Sequence, residues 1–379
     1  MAETNFGALQ TEQIKVWSRQ FWSQARNLSF VMQFAGKGEN AMIQRVTELK
    51  KTSKGNQAYI TLVHDLVGDG VMGDSQLEGN EEALSQDDCL IRFDQIRNAN
   101  VSSGRMAEQK SVVAFREQSK DKLSYWAADR MDQMGILTLS GISWTTRTDG
   151  SLRPVLAAGR NLSNHESAAD VTPPSDQRHL IAFADGSISS VADGASSTDL
   201  TATATLRYRH LVRAKAFAKE KYIRGIRGGR NQEIYHVFVT PTGLADLKLD
   251  PEFRENMLHA MTRGKDNPVF TGSSYIMQDG LVIHEFRHVF DNRKAASQWG
   301  ASNDVAGQRV LICGAQSLAM ADIGLPYWDE DTFDYNNRPG ISVGKMLGFK
   351  KPVFDSIYED SGEETQDFGV ICLDTAITV

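Results

Sequence analysis

The sequence predicts an α+β fold in which a long, projecting β-hairpin stands beside an unusually long helix. Residues 36–101 hold two strand-like segments separated by a polar, turn-rich stretch, and residues 105–139 follow with a helical pattern. Helical and strand-like segments alternate again after residue 199. A compact enzyme rarely needs so long an arm, whereas a subunit that reaches over its neighbours does. These observations favour an assembly protein over an enzyme.

The N-terminal segment, residues 1–35, carries aromatic residues at helical spacing. Trp17, Phe21 and Leu28 recur on one side of a predicted helix. One interpretation is an amphipathic helix packed on its own domain, and the other is an arm that docks on a neighbouring subunit. The sequence leaves both open, and Trp17 and Phe21 are candidate contacts between subunits.

The projecting hairpin is predicted from two segments rich in β-branched and apolar residues, at 58–67 and 89–101. The stretch between them is rich in glycine and acidic residues and has too few apolar side chains to bury a core. We therefore expect it to form the exposed tip of a hairpin. The candidate contact residues at this tip are Asp69, Asp74, Glu78, Glu81 and Glu82.

The long helix is predicted at residues 105–139, where apolar residues recur mostly at steps of three, four or eight. No proline interrupts the pattern, and Gly141 is a suitable helix end. At 1.5 Å per residue such a helix would be about 50 Å long. Globular helices average nearer 11 or 12 residues, so this element is expected to act as a rigid spine.

The second half of the chain predicts a more ordinary mixture of elements. Residues 142–198 are rich in Gly, Ser, Asp and Pro, which indicates loops with short strands, and residues 200–222 have a helical pattern. The segment YHVFVT at 235–240 is typical of a buried strand, and a helix is expected to begin near Pro241. Further strands are predicted at residues 274–290, 309–313 and 367–375.

Bulk properties limit the function classes. The 379 residues suffice for two or three domains, and the net charge of −7 disfavours a protein that embraces nucleic acid tightly, although not one that merely surrounds it. No apolar run approaches the ~20 residues that span a membrane, and the N-terminus lacks the apolar core of a signal peptide. We expect a protein made in a cytoplasm.

The cysteines, Cys89, Cys313 and Cys372, are far apart and are predicted to be buried free thiols.

The sequence His284-Glu285-Phe286-Arg287-His288 fits a zinc-hydrolase motif, in which two histidines one helical turn apart bind the metal. The segment follows a turn signal at Asp279 and alternates like a strand. On a strand, residues four apart lie about 13 Å from each other and cannot share one ion. We therefore predict no metal site, and a zinc-dependent hydrolase remains the enzyme alternative.

Residues 68–73 fit the glycine pattern of a dinucleotide-binding turn, G-x-G-x-x-G. An acidic stretch follows instead of an apolar helix, so no helix N-terminus would face a phosphate. The glycines are better explained by tight bends at a loop tip. No cofactor is predicted. No nucleophile elbow, phosphate-binding lysine loop or paired carboxylates in a helical context occur either, so no catalytic residue is predicted.

The segment 207–230 contains nine basic residues and one acidic residue. A nucleic-acid-binding patch is one interpretation, and a surface that contacts other proteins is the favoured one. The acidic hairpin tip of an adjacent subunit is a candidate partner for this basic run. Its candidate contact residues are Arg207, Arg209, Arg213, Arg224, Arg227 and Arg230.

Six blocks of the sequence carry a resemblance to a known family. They are GENAMIQRVTEL (38–49), GDGVMGDSQLEGNEEAL (68–84), GRMAEQKSVVAFR (104–116), DRMDQ (129–133), LICGAQSLAMA (311–321) and DFGVICLDTA (367–376). In this order the chain resembles, nearly end to end, the major capsid proteins of tailed double-stranded DNA phages, specifically those of the N-four-like podophages.

The resemblance implies a capsid fold of the Hong Kong 97 type and a structural role in the virion. The subunit would assemble with itself into the pentamers and hexamers of an icosahedral shell around double-stranded DNA. Scaffolding, portal and decoration proteins would be further partners. The implied divisions are an N-terminal arm (1–35), an extended loop (36–101), a peripheral domain (102–198) with a spine helix (105–139), an axial domain (199–305) and C-terminal strands that return to the peripheral domain (306–379).

Overall fold

The structure is a computed structural model whose described residues form two large β-sheets with associated helices, together with two two-stranded sheets, β3 (Gln57–Val63) with β4 (Gln86–Arg92) and β15 (Val353–Asp355) with β16 (Thr365–Asp367). The predicted α+β class is confirmed. The described residues are 11–46, 57–63, 66, 68–82, 86–110, 114–157, 159–228, 232–260, 275–355 and 365–378.

The helices of the described residues are short except for the first and the third. The α-helices are α1 (Thr11–Leu28), α2 (Arg105–Lys110), α3 (Phe115–Ser140), α4 (Tyr208–Glu220), α5 (Pro241–Leu249) and α6 (Pro251–Ala260). Short 3-10 helices lie at Val31–Phe34, Leu162–Asn164, Glu166–Asp170, Asp176–Arg178 and Ser197–Asp199.

The strands of the described residues are β1 (Ala35–Gly36), β2 (Ile43–Val46), β3 (Gln57–Val63), β4 (Gln86–Arg92), β5 (Asp94–Val101), β6 (His179–Ala182), β7 (Ile188–Ser190), β8 (Ile226–Arg227), β9 (Glu233–Val239), β10 (Tyr275–Gln278), β11 (Leu281–Glu285), β12 (Gly307–Cys313), β13 (Leu318–Phe333), β14 (Arg338–Lys350), β15 (Val353–Asp355), β16 (Thr365–Asp367) and β17 (Val370–Ala376).

The first sheet has the strand order β1-β2-β13-β14-β5 in the described residues. β13 and β14 form its long antiparallel hairpin, while β2 runs parallel to β13 and β5 antiparallel to β14. Helices α1 and α3 pack against this sheet. Phe21, Leu123, Met131, Trp328 and Phe349 belong to the core between them.

The second sheet has the order β10-β11-β9-β12-β17-β6-β7, and β8 also pairs with β9. The predicted strand at 235–240 is confirmed as β9, and it is central because it pairs with both β11 and β12. The predicted helix start is also confirmed. The Thr240 side chain accepts a hydrogen bond from the Gly243 N–H at 3.1 Å, and Pro241 opens α5.

The sheets do not follow the sequence divisions expected from the family resemblance. β6 and β7, from within 102–198, and β12 and β17, from within 306–379, belong to the second sheet together with β9. Of the strands described in the C-terminal segment, β13 and β14 are the ones that belong to the first sheet. The chain therefore crosses between the sheets several times, because neighbouring strands come from segments far apart in sequence.

The predicted spine helix at 105–139 is wrong as one continuous helix. α2 ends at Lys110, and Ala114 has an extended backbone (ψ 111°) from which α3 begins at Phe115. Alanine is the best helix former, so local propensity does not predict an end at this position. The helix that remains has 26 residues, which makes it about 39 Å long.

The last seven residues of α3 are buried all round, unlike the amphipathic stripe that the sequence predicts. Met134, Ile136, Leu137 and Leu139 belong to a core shared by both sheets. Gly141 ends the helix with φ 66°, as predicted. A Cβ at this position would lie 2.6 Å from the Thr172 carbonyl oxygen, so only glycine fits there.

A buried ionic cluster joins the end of α3 to the second sheet. Arg309 on β12 donates to Asp374 on β17 from Nε at 2.7 Å and from Nη2 at 2.9 Å. Its Nη1 donates to the Ser140 carbonyl at 2.8 Å. The His179 ring, on β6, lies 2.7 Å from the same carboxylate. One fully buried aspartate therefore organises three strands and a helix end.

The three cysteines are free and buried, as predicted. Cys372 Sγ lies 3.6 Å from the Leu139 carbonyl oxygen at the same helix end. Burial raises the pKa of the Cys372 thiol to about 12, which makes it unreactive at neutral pH.

The segment after α1 is fastened to α3 by one carboxylate. Asp132 accepts hydrogen bonds from the Ser29 hydroxyl at 2.6 Å, the Phe30 N–H at 3.1 Å and the Val31 N–H at 3.0 Å. These buried donors would lose their acceptor if the carboxylate were removed. The N-terminal segment is thus held within its own subunit at this point.

We expect Asp132→Ala to lower the free energy of unfolding by about 2 kcal/mol, because buried donors are left without an acceptor. Urea unfolding followed by circular dichroism measures this. Asp121→Ala is the matched control, since Asp121 lies on the same helix and accepts one hydrogen bond, from Gln24 at 3.0 Å. Equal losses in the two variants would contradict the role assigned to Asp132.

Candidate assembly surfaces

The projecting hairpin consists of β3 and β4, which pair from Gln57 with Arg92 to Val63 with Gln86. Its base packs on the first sheet through a small apolar cluster that includes Ile60, Cys89 and Ala319. The predicted second limb at 89–101 is corrected, because it divides at Phe93. Residues 94–101 form β5 and pair with β14 instead of extending the hairpin.

The hairpin tip is exposed. Among the described tip residues, 68–82, all but the half-buried Val71 are exposed, including the five predicted acidic contact residues. Met72 and Leu77 are 72% and 61% exposed, which is unusual for large apolar side chains. A tip that combines acidic and apolar groups outside any core is typical of a contact surface.

Local hydrogen bonds shape the tip. Glu82 Oε2 accepts from the Gly68 N–H at 2.8 Å and closes the loop, while Glu81 Oε2 accepts from the Gly79 N–H at 2.8 Å. Within the described residues, no basic side chain pairs with Asp69, Asp74 or Glu78. The glycine motif 68–73 is followed by turns. Residues 74–82 form no helix whose N-terminus could face a phosphate.

Helix α1 packs on its own subunit. Phe21 is 2% exposed and lies 6.2 Å from the Trp328 ring, between centroids, and the Ser18 hydroxyl donates to the Pro326 carbonyl at 2.6 Å. The hypothesis that Phe21 contacts a neighbouring subunit is therefore corrected, since this side chain is already buried by β13. The Trp17 side chain lies outside the described part of the structure.

The histidines of the zinc-like motif are held apart. His284 lies on β11, as predicted, but β11 ends at Glu285, so the prediction that the strand continues through His288 is wrong. The His284 Nε2 atom is 2.9 Å from Nδ1 of His236 on β9. His288 instead lies 3.0 Å from Asp129 on α3. Burial and the neighbouring His236 lower the pKa of His284 to about 4. Within the described residues, no group of three or more potential ligands is placed to hold a metal ion.

The basic run 207–230 does not form one continuous patch. It extends over α4, a connection and β8, and part of its charge is paired within the chain. Arg209 forms a two-bonded ion pair with Glu252, and Lys215 lies 2.9 Å from Asp279. Arg207 is half-buried, whereas Arg213, Arg224 and Arg227 are exposed. Arg230 lies outside the described residues.

A second basic surface escaped the sequence interpretation. A groove of about 620 Å³ lies between β5, α3 and the loops at 147–165. Five arginines line it, from segments that are up to 63 positions apart in the sequence: Arg97, Arg130, Arg147, Arg153 and Arg160. The loop region had been predicted only as a connection. The recurrence of arginine in it at 147, 153 and 160 was the one signal available.

Comparison with known proteins decides the class of protein. A family model described as phage capsid protein matches residues 5–379, which is nearly the whole chain. The chain belongs to this family. It is a structural subunit of a phage capsid and not an enzyme.

A major capsid protein of Pseudomonas phage KPP25 is 53% identical to this capsid protein over 370 residues, covering 97% of this chain and 96% of that one. Among solved structures, the capsid of Ralstonia phage GP4 matches with a TM-score of 0.72 and 25% identity, covering 91% of this chain and 90% of that chain. The capsid of cyanophage Pam1 has the same fold, with a TM-score of 0.68 at 18% identity over 100% of this chain and 96% of that chain.

These matches give no support to the two alternatives that the sequence left open, a zinc hydrolase and a nucleic-acid-binding protein. Their motif residues are explained by the fold instead, since His284 packs within an aromatic cluster with Phe30, Phe34 and Phe238. No helix in the described residues of the capsid protein has both the length and the apolar character needed to cross a bilayer.

Proposed function

We propose that this protein is the major capsid protein of a tailed double-stranded DNA phage of the N-four-like podophage group, with a capsid fold of the Hong Kong 97 type. It assembles with itself into pentamers and hexamers, and these form an icosahedral shell around the DNA without sequence-specific binding. The observation that carries the proposal is a family match over residues 5–379 in a chain whose hairpin projects beyond its core.

The projecting hairpin is the extended loop of the subunit, and it lies over an adjacent subunit in the shell. Its tip carries exposed acidic and apolar side chains that the subunit itself does not cover. A closed shell needs two different surface patches that meet repeatedly around each symmetry axis. Many such contacts, each modest, then sum to a stable particle.

The remaining parts take the roles implied by the family. Helix α3 is the spine of the peripheral domain, and the first sheet packs against it. The second sheet, which includes β6, β7, β12 and β17 from outside residues 199–305, forms the axial domain around each capsomer centre together with helices α4, α5 and α6. Trp17 and the exposed arginines Arg213, Arg224 and Arg227 are contacts to other proteins. The protein needs no cofactor.

Other virion proteins complete the assembly. A scaffolding protein directs subunit addition in the host cytoplasm, a portal occupies one vertex, and decoration proteins bind the outer surface. The formal charge of −7 suits a shell that encloses DNA without binding it tightly.

Negative-stain electron microscopy of the purified protein tests the proposal. We expect closed shells, tubes or hexameric capsomers, because the hairpin tip and its receiving surface are present on the same chain. Raised salt should reduce their number if charged contacts hold them together. Compact monomers at every protein and salt concentration would contradict the proposal.

A further inference from the structure

The arginine groove between β5, α3 and the loops at 147–165 has a strongly unbalanced charge. Five arginine side chains line it, and Asp94 is the acidic residue that lines it in the described part of the chain. The Asp94 carboxylate already accepts hydrogen bonds from the backbone N–H groups of Gln95 at 2.6 Å and Glu166 at 3.3 Å. A groove of about 620 Å³ with this lining has room for several side chains of a partner.

Two of the arginines are held in place by hydrogen bonds to neutral acceptors, and Arg130 also lies 3.7 Å from the Asp129 carboxylate. Arg153 donates to the Trp144 carbonyl at 3.0 Å and to Gln133 Oε1 at 2.7 Å, and Arg130 donates to the same Gln133 oxygen at 3.1 Å. Burial, together with the charges of Arg130 and Arg147, lowers the pKa of Arg153 to about 10. The carboxylates of Asp129 and Asp149 act in the opposite direction, and Arg153 stays charged at neutral pH.

The other three arginines, Arg97, Arg147 and Arg160, are exposed. Within the described residues, no ion pair joins any of them to a carboxylate. Guanidinium groups grouped in this way repel one another unless anions lie between them. Carboxylates are suitable anions, because arginine binds them through two parallel hydrogen bonds.

We infer that this groove receives the acidic hairpin tip of a second copy of the chain. The tip carries five exposed carboxylates at positions 69–82, and the groove carries five arginines, so the two surfaces are complementary in charge. Electrostatic complementarity of this kind selects the partner and its register. The inference rests on the proposed function and specifies which two surfaces of the subunit meet.

The tip of the same chain does not reach the groove. Asp94 lines the groove, and the seven residues of β4, from Arg92 to Gln86, separate it from the tip along the chain. At about 3.3 Å per residue the tip starts about 20 Å away. The hairpin base is held on the first sheet, and no hydrogen bond or ion pair of the described residues joins the tip to the groove lining. We therefore assign the occupant to another subunit.

The groove is a better receiving surface than the basic run 207–230. In the basic run, Arg209 is already paired with Glu252 and Lys215 with Asp279. Three groove arginines have no such partner among the described residues, and all five line one concave site. DNA phosphate is the other anion that a capsid subunit meets. A test without nucleic acid separates phosphate binding from binding of the tip.

A charge exchange tests the inference. Arg147→Glu with Arg160→Glu should reduce the number of closed shells about tenfold or more, because like charges would then face each other. Asp74→Lys with Glu78→Lys should do the same. The four substitutions in one chain should restore shells to within about twofold of wild type, since the charges are again opposite. Shells are counted by negative-stain microscopy after assembly without nucleic acid, and thermal unfolding checks that each subunit is folded.

The matched control is Arg213→Glu with Arg227→Glu, which reverses two exposed charges of the basic run. The tip variant should not restore assembly to this control. If the tip variant restores assembly to the control and not to the groove variant, the inference is overturned, and the basic run is the surface that binds the tip. A groove variant that assembles normally would also overturn it, and would leave phosphate as the anion of the groove.

Chemical crosslinking gives a second, independent measurement. Glu78→Cys subunits are mixed with Arg160→Cys subunits before assembly and treated with a short bismaleimide reagent. The three native thiols are buried and should not react. We expect covalent dimers that contain one subunit of each kind. Dimers that form only when Arg213→Cys replaces Arg160→Cys would refute the inference. Wild-type protein that never assembles would refute the proposed function as well. Wild-type protein that forms shells, with no covalent dimer from the cysteine variants, would refute only the inference about the groove.

Discussion

Asp374→Ala should lower the free energy of unfolding by about 3–5 kcal/mol, the usual cost of breaking a buried ion pair by removing one partner. Asp374 is fully buried and receives two hydrogen bonds from Arg309. Without the carboxylate, the guanidinium would remain charged in the core with no anion beside it, and its remaining hydrogen-bond partners would be the Ser140 carbonyl and the His179 ring. Urea unfolding of the unassembled subunit measures the loss.

Two controls distinguish the cost of an unpaired buried charge from the cost of changing the shape of the core or of losing any ion pair. Arg309→Met with Asp374→Leu removes both charges and should recover much of the stability, because no unpaired ion is left in the core. Glu252→Ala breaks the exposed pair with Arg209 and should leave the melting temperature nearly unchanged. A double variant as unstable as Asp374→Ala would show that shape, and not the unpaired charge, causes the loss.

The stability that Asp374 contributes should depend on pH in one direction. Burial opposes its ionisation, but Arg309 and His179 outweigh this and lower the pKa of Asp374 to about 2. A depressed folded-state pKa adds stability above the ordinary aspartate pKa of about 4, and this stability is lost as the pH falls towards 2. The difference between wild type and Asp374→Ala should therefore be constant from about pH 5 to 7 and shrink below about pH 4.

Replacement of residues 64–85 by a two-residue Asn-Gly turn, which joins the paired residues Val63 and Gln86, should abolish closed shells and leave a folded subunit. The described tip residues belong to no apolar cluster, whereas the hairpin base packs through Ile60, Cys89 and Ile91. Asn-Gly closes two antiparallel strands in a tight turn. We therefore expect a melting temperature close to that of wild type, and no shells by negative-stain microscopy.

The matched control for the deletion keeps the length of the tip and changes only its apolar groups. Met72→Ser with Leu77→Ser removes two exposed apolar side chains and should weaken assembly less than the deletion does. An unfolded deletion protein would show that the tip contributes to the core. A deletion protein that still closes shells would show that the subunits meet elsewhere.

Local patterns in the sequence were sufficient to predict several helices and strands. The buried strand β9 and the start of α5 at Thr240 follow from a short apolar run and from a capping residue followed by proline. The strand character of His284 follows from alternation over a few residues. Strand alternation and helix caps depend on neighbours within about four positions, so they can be read without the fold.

Other features needed contacts from distant parts of the chain. Ala114 ends a helical pattern despite its own high propensity, and the run 89–101 divides at Phe93 because β14 pairs with only its second part. From the sequence, Phe21 could contact a neighbouring subunit or pack in its own core. It packs in its own core because β13 covers it. The arginine groove joins residues from 97 to 160 that no local pattern connects.

The sequence by itself determined the class of this protein, its projecting acidic hairpin and most of its short elements, because those depend on composition, ordered motifs and local periodicity. Only the tertiary structure decided where the long helix begins, which strands share a sheet, which aromatic side chains are buried and where positive charge gathers. These depend on which distant segments pack together, and packing is a property of the whole chain. The acidic tip could be found from the sequence, but the groove proposed to receive it could not.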